Sequence, residues 1–179
     1  GEEGTLLEEP GSVACNVRVI PDLVREIEPF RDLRALAGLC GTLQNLRPDI
    51  LHCHTYKAGV LGCYAGMLSG VRRVVFSPHG HIFDQGSHIP GVPASGARLS
   101  ALYWLTRSAQ VCADAITAVS PSDMESQVKL GLAPRRKYVV IPNGISLDEQ
   151  SRSSVDGAKF RKGLGLADAF PLIGSVGRL

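Results

Sequence analysis

The segment "DILHCHTYKAGVLGCYAGMLSGVRRVVFSPHGH", Asp49 to His81, decides how this chain folds. Its outer parts, "DILHCH" and "RVVFS", are short apolar runs with the length and β-branched content of strands. Between them, from about Ala58 to Leu68, runs a helical stretch rich in small residues. Strand, helix and strand in about 30 residues make one parallel βαβ unit. The first strand closes on His54. The second breaks at Ser77-Pro78 and is followed by His79, Gly80 and His81.

The same alternation continues outward. Upstream, "VRVI" (Val17 to Ile20) reads as a strand ended by Pro21. From Arg31 to Leu46 the apolar residues recur at three-and-four spacing, the mark of an amphipathic helix. Downstream, "HIFDQGSHIPGVPASGA" is a long Gly/Pro loop, a type that is usually functional. A helix from about Arg98 to Ala113 leads into the strand "AITAV". Ser120, Pro121 and Asp123 then supply a cap, a first-position proline and a capping-box acid for a helix to about Leu130. "KYVVIPNG" is a further strand, Ala158 to Leu164 a short helix and "PLIGSV" a last strand. The expected fold is α/β: a doubly wound, mostly parallel, Rossmann-like sheet with helices on both faces and right-handed crossovers. The "GLGL" at Gly163 precedes a strand instead of following one, so it is no dinucleotide fingerprint.

Composition narrows the function classes. A chain of 179 residues, 44% hydrophobic and 20% charged, is ordinary for a globular protein. A net charge of +2 is too weak to imply a nucleic-acid partner. Two local clusters, Arg72-Arg73 and Arg135-Arg136-Lys137, read first as solvated faces and only second as phosphate or membrane contacts. No apolar run approaches the ~18 residues of a membrane span. Five scattered cysteines without a Cys-x-x-Cys pair argue against a disulfide framework or a thiolate zinc site, and for a reducing cytoplasm.

The distinctive residues all follow the carboxyl ends of strands: His54, His79, Ser120, Asn143 and Arg178. In an open parallel sheet those ends share one edge, and ligands bind in the crevice outside it. The chemistry there suits sugars and phosphates. Helices starting near Lys57 and after Ser120 aim backbone N–H groups at the edge. Lys57 and Arg178 add full charges, Asn143 an amide fixed between Pro142 and Gly144, and Gly59 and Gly80 room for close backbone approach. Blander roles compete. Ser120 serves first as a helix cap, Lys57 as a helix-start charge, Asn143-Gly144 as a turn and His52 as a hydrogen-bonded core residue. His88 reads as ordinary surface. His52 and His54 share a strand face and could pair on a metal, but no carboxylate stands at a suitable strand end to complete the ligand set.

Six blocks carry a resemblance. "IPDLVREIEPFRDLRALAGL", "RPDILHCHTYKAGVLGCYAG", "FSPHGHIF", "AITAVSPSD", "VVIPNGISLD" and "IGSVGRL" resemble, in order and spacing, the family-four nucleotide-sugar glycosyltransferases of GT-B fold. The likeness runs from about Gly4 to Leu179. It implies an acceptor-side Rossmann-like domain over residues 1–145 whose first strand is missing. It further implies an interdomain linker over 146–170 and, over 171–179, the first strand of a truncated donor-side domain. The chain would then be a fragment, inactive alone.

The resemblance also implies the chemistry. A sugar would pass from a nucleoside diphosphate sugar to a hydroxyl acceptor with retention at the anomeric carbon, without a metal or resident cofactor, in polysaccharide or glycolipid synthesis. By it, His79 would be catalytic and meet the donor sugar. Arg178, Gly80 and Asn143 would bind the donor, with Arg178 on the diphosphate. His54, Lys57, Gly59 and Ser120 would shape the acceptor side of the cleft. The acceptor would be lipid-linked or a polysaccharide. The setting would be cytoplasmic, peripheral at the inner face of a membrane, with Arg135 to Lys137 as the contact. Two readings from other classes stand beside it: a non-catalytic sugar- or phosphate-binding module, and a metal-dependent hydrolase using His52, His54, His79 and His81.

Overall fold

A computed structural model describes residues 17–24, 26–79, 83, 96–144, 157–163 and 165. The chain divides into two compact units, Gly1–Pro142 and Asn143–Leu179. In the first, the elements are α1 (Pro29–Leu46), β1 (Ile50–His54), α2 (Tyr56–Leu68), β2 (Arg73–Ser77), α3 (Ala97–Cys112), β3 (Ala115–Ala118), α4 (Pro121–Lys129), a 3₁₀ turn (Arg135–Lys137) and β4 (Tyr138–Val140). The second contributes one described helix, α5 (Gly157–Gly163).

The four strands form one all-parallel sheet in the order β1-β2-β3-β4. Register places His52 beside Val75, His54 beside Ser77, and Thr117 beside Val139. One sheet face carries Cys53, Val74, Phe76, Ile116, Ala118 and Tyr138, all buried. These pack with Val60 and Cys63 of α2, Ala109 of α3, and Met124 and Val128 of α4 into a single core cluster. Because the strand order runs in one direction, right-handed crossovers put successive helices on the same side. The opposite face carries His52, His54, Val75, Ser77 and Thr117. The expected second helical layer is not among the described residues.

Close contact between α2 and the sheet depends on three of its glycines. A Cβ on Gly59 would lie 1.8 Å from Phe76 Cε2, one on Gly62 2.5 Å from Cys53 Sγ, and one on Gly66 2.8 Å from Val74 Cγ2. The small residues that make α2 poor in amphipathic contrast therefore have a packing reason: the helix backbone itself lies against Phe76, Cys53 and Val74. Across the core, a buried polar chain ties α3, α4 and β4 together. Tyr138 Oη donates to Gln110 Oε1 (3.0 Å), Gln110 Nε2 to Gln127 Oε1 (3.3 Å), and Gln127 Nε2 to Asp123 Oδ1 (3.0 Å). Buried amides with every link made fix the lateral position of these elements.

Val17–Ile20 forms no strand, contrary to the alternating apolar pattern. Val17 and Val19 are exposed, and Ile20 instead approaches the Gly38 position of α1. A short apolar run becomes a strand only where a neighbour's backbone pairs with it, and among the described residues none does. The expected last strand "PLIGSV" and the long loop's His88 lie outside the described residues.

Candidate active site

The sheet's carboxyl edge is built by two unusual turns. After His54, Thr55 turns with φ 64° and ψ 166° before α2 begins at Tyr56. Its N–H still donates to the Ser77 carbonyl (3.0 Å), adding a rung to the β1–β2 ladder, while its own carbonyl accepts from Gly59 N–H (3.0 Å). That backbone region belongs almost entirely to glycine, and holding a β-branched residue there costs about 1–3 kcal/mol. After the Ser77-Pro78 break of β2, His79 takes φ 55°, a left-handed conformation. Thr55→Gly is expected to raise stability by up to about 1 kcal/mol. The relieved strain exceeds the extra entropy glycine brings to the unfolded chain, and urea midpoints check it.

These turns bring two histidines together. His54 Nδ1 and His79 Nε2 are 3.0 Å apart, with the rings stacked at 5.3 Å and 18° between planes. One nitrogen of the pair donates and the other accepts, so each ring's tautomer is tied to its neighbour's. Behind them on the same sheet face, His52 lies 4.1 Å, centroid to centroid, from His54. His52 Nε2 meets Ser77 Oγ at 2.7 Å, and Ser77 Oγ meets Thr117 Oγ1 at 2.5 Å. The network runs across three strands, from the exposed His52 imidazole through the buried Ser77 hydroxyl to the half-buried Thr117.

Burial first, then the neighbouring His52 and His79, hold the His54 pKa below its ordinary value of 6.5. The unfolded chain therefore takes up this proton at higher pH than the folded one. Stability is lost as pH falls below about 6.5 and through the folded pKa, and is fully present above that window. Urea denaturation at pH 7.5 and pH 5 should show this loss, and His54→Asn should make the acid-side slope shallower.

The other candidates fare differently. Lys57 does not present a free charge to the edge. Its ammonium pairs with Asp32 and donates to the Glu26 carbonyl, with its side chain only 13% exposed. It ties the first turn of α2 to α1. Gly59 is buried on the sheet-facing side of α2, against Phe76, so the space it leaves is filled by a ring of the core instead of a ligand. Ser120 caps α4, as its spacing suggested. Its Oγ accepts from Asp123 N–H (3.1 Å), and Asp123 Oδ2 accepts from Val119 N–H (3.2 Å). His52 is exposed, not a core residue, though its hydrogen bond to Ser77 is made. Asn143 belongs to the second unit and is exposed. Gly80, His81 and Arg178 lie outside the described residues.

The structure thus joins His54 to His79 and sets the α4 cap at the end of the neighbouring strand β3. Sequence reasoning missed Ser77 and Thr117 as members of the polar network. Their place on the His52 face follows from the period-2 alternation of β2 and β3 once the register is known. Thr55 carried no signal of its strained turn. Among the described residues no group of three or more His, Cys, Asp or Glu is arranged to hold a metal ion. A cleft of about 400 Å³ lies at the opposite edge of the sheet, between Arg47–Asp49 and Ser69–Arg72, away from the histidines.

Comparison with known proteins places the chain in a family. A profile described as "Glycosyl transferase 4-like domain" matches residues 3–144, most of the chain. The chain belongs to this family. Within the glycosyl transferase 4-like domain, the matched span contains all four strands and the His54–His79 pair. A curated relative from Escherichia coli, a UDP-Gal:alpha-D-GlcNAc-diphosphoundecaprenol alpha-1,3-galactosyltransferase, is 30% identical over 161 residues. That alignment covers 89% of this chain and 40% of the relative, so the chain spans about two fifths of that protein's length. No described helix is long and apolar enough to cross a membrane.

Proposed function

We propose that this glycosyl transferase 4-like domain forms the acceptor-side half of an enzyme moving a sugar from a nucleoside diphosphate sugar to a hydroxyl. The acceptor is proposed to be a lipid-linked saccharide. The observation that carries the reading is the His54–His79 pair at the carboxyl edge of the parallel sheet. The family match and the relative's lipid-diphosphate acceptor support it.

In this reading His79 donates a hydrogen bond to a hydroxyl of the donor sugar, and His54 sets which of its ring nitrogens carries the proton. As the sugar–diphosphate bond breaks, negative charge grows on the leaving diphosphate. Arg178 holds that charge through paired guanidinium hydrogen bonds. The acceptor hydroxyl attacks from the face the diphosphate leaves and passes its proton to the departing diphosphate oxygen, so the anomeric configuration is retained. No resident metal or cofactor is required, and the domain works peripherally at the cytoplasmic face of a membrane. The 179-residue chain alone is inactive in this scheme.

The test is a transfer assay on the full-length polypeptide with a UDP-sugar and a polyprenyl-diphosphate-linked sugar. The expected product is an elongated lipid-linked saccharide with release of UDP. Tight binding of both substrates with no product would favour the non-catalytic binding module instead.

A further inference from the structure

The outward side of the helical layer is apolar where a solvated surface would be polar. On α3, Ala101, Trp104, Leu105, Ser108 and Val111 fall on one helical face. Trp104 is 63% exposed, Leu105 44% and Val111 52%. Met67 and Leu68 at the end of α2 extend the patch, 53% and 60% exposed, and Met67 Sδ lies 3.5 Å from Cys112 Sγ of α3. The flanks are tied down. Tyr64 Oη meets Ser108 Oγ at 2.5 Å on the α2 side, and Tyr103 Oη donates to the Leu130 carbonyl (2.7 Å) on the α4 side. Lys137 donates to the Val111 and Ala113 carbonyls (2.5 and 2.7 Å), which sets the basic 3₁₀ turn beside the end of α3.

Charge is one-sided here. Residues 97–112 and 129–137 hold six Lys and Arg and no Asp or Glu. Only Arg135 of these pairs with a described carboxylate, Glu125 at 2.5 Å. Arg107 lies over the Trp104 ring, 5.7 Å from its centroid. Asp114 at the foot of β3 is engaged by Arg73 (2.9 Å). Within the Arg135-Arg136-Lys137 cluster, Arg135 pairs with Glu125 and Lys137 with backbone carbonyls at the end of α3. Two of the three are used internally, and the cationic surface is the wider rim of α3.

We propose that this face of α3 docks on a bilayer surface rich in anionic lipid, with Trp104 at the headgroup boundary and Arg98 and Arg136 among its rim cations. Tryptophan favours that boundary because its ring is apolar and its N–H is not. An apolar helical face with a cationic rim is the arrangement that lies in the interfacial plane. A second copy of the chain fits poorly. A two-fold contact would set each cationic rim against its own counterpart. The inference deepens the peripheral placement proposed above by naming the surface, and it is independent of the histidine edge.

Trp104 is the chain's one tryptophan, so its fluorescence reports this face alone. The chain is titrated with vesicles of equal parts phosphatidylglycerol and phosphatidylcholine, and with phosphatidylcholine alone. With the anionic vesicles, Trp104 emission should shift to the blue and become shielded from an aqueous quencher. Phosphatidylcholine alone should give neither change. Raising salt should weaken binding, and the double variant R98E/R136E should weaken it about tenfold or more. L105S/V111S should weaken it as well, with unchanged far-UV circular dichroism. Three results would overturn the proposal: no binding to anionic vesicles, binding with Trp104 emission unchanged, or a blue shift driven by protein concentration without lipid. Transfer lost with vesicle binding intact would indict the proposed reaction and leave this surface standing.

Discussion

His79→Asn in the full-length polypeptide is expected to lower kcat for sugar transfer by about 10²- to 10³-fold, the usual cost of removing one aimed hydrogen-bond donor at a reacting centre. Asparagine is the informative replacement because it tolerates the positive φ that His79 adopts at 55°, so the turn survives. The melting temperature should barely move. His79 is exposed, and among the described residues its hydrogen bond is the 3.0 Å one to His54, worth about 1 kcal/mol in that setting. His54→Asn should produce a smaller drop, about tenfold, with its larger effect on the pH profile. In the proposed scheme it acts through the tautomer of its neighbour instead of touching the sugar. If His79→Asn melted early while the folded fraction transferred at the normal rate, the residue would be structural and the proposed role would fail.

Gly59→Val is expected to do the reverse, removing the fold. An added Cβ at this position meets Phe76 at 1.8 Å, and Phe76 is 0% exposed at the centre of the core. Either α2 lifts from the sheet or Phe76 leaves its rotamer. Overpacking typically costs about 1–3 kcal/mol and more where backbone must shift, so a loss above about 3 kcal/mol is expected. Gly59→Ala should cost less, since the ~1 kcal/mol gain in helix propensity offsets part of the clash. Gly41→Ala is the control. It lies mid-helix in α1 with nothing within 4 Å of the added atom, and it should be neutral or mildly stabilising. Equal urea midpoints for Gly59→Val and the parent chain would show that α2 does not lie where the structure puts it.

What the sequence revealed and what it hid divide along a physical line. The β1-α2-β2 unit, the capped start of α4 and the shared edge of His54 and His79 follow from local signals: apolar period, a Ser-Pro-x-Asp start, and strand ends in a parallel sheet. Lys57 was misread because its partner, Asp32, lies on another helix far back in the chain, and charge alone does not name a partner. Gly59 looked like room for a ligand because a glycine signals close approach without saying what approaches; here it is Phe76. His52 looked like a core residue because β1 is apolar on average, yet it sits on the strand face that carries no described helix. Val17–Ile20 had the composition of a strand but no described neighbour to pair with. Local rules located the edge, and tertiary partners decided which residues stand free on it.

The central claim is that His54 and His79 act together on a nucleotide-bound sugar at that edge. Imidazole ¹H–¹⁵N spectra of the full-length polypeptide, titrated with a UDP-sugar, test it most directly. The account predicts that the His54 and His79 ring resonances shift together on one binding curve, that His88 stays still, and that UDP alone moves them less than UDP-sugar. Saturation with the UDP-sugar that leaves both rings unmoved, or moves His88 alone, would contradict it.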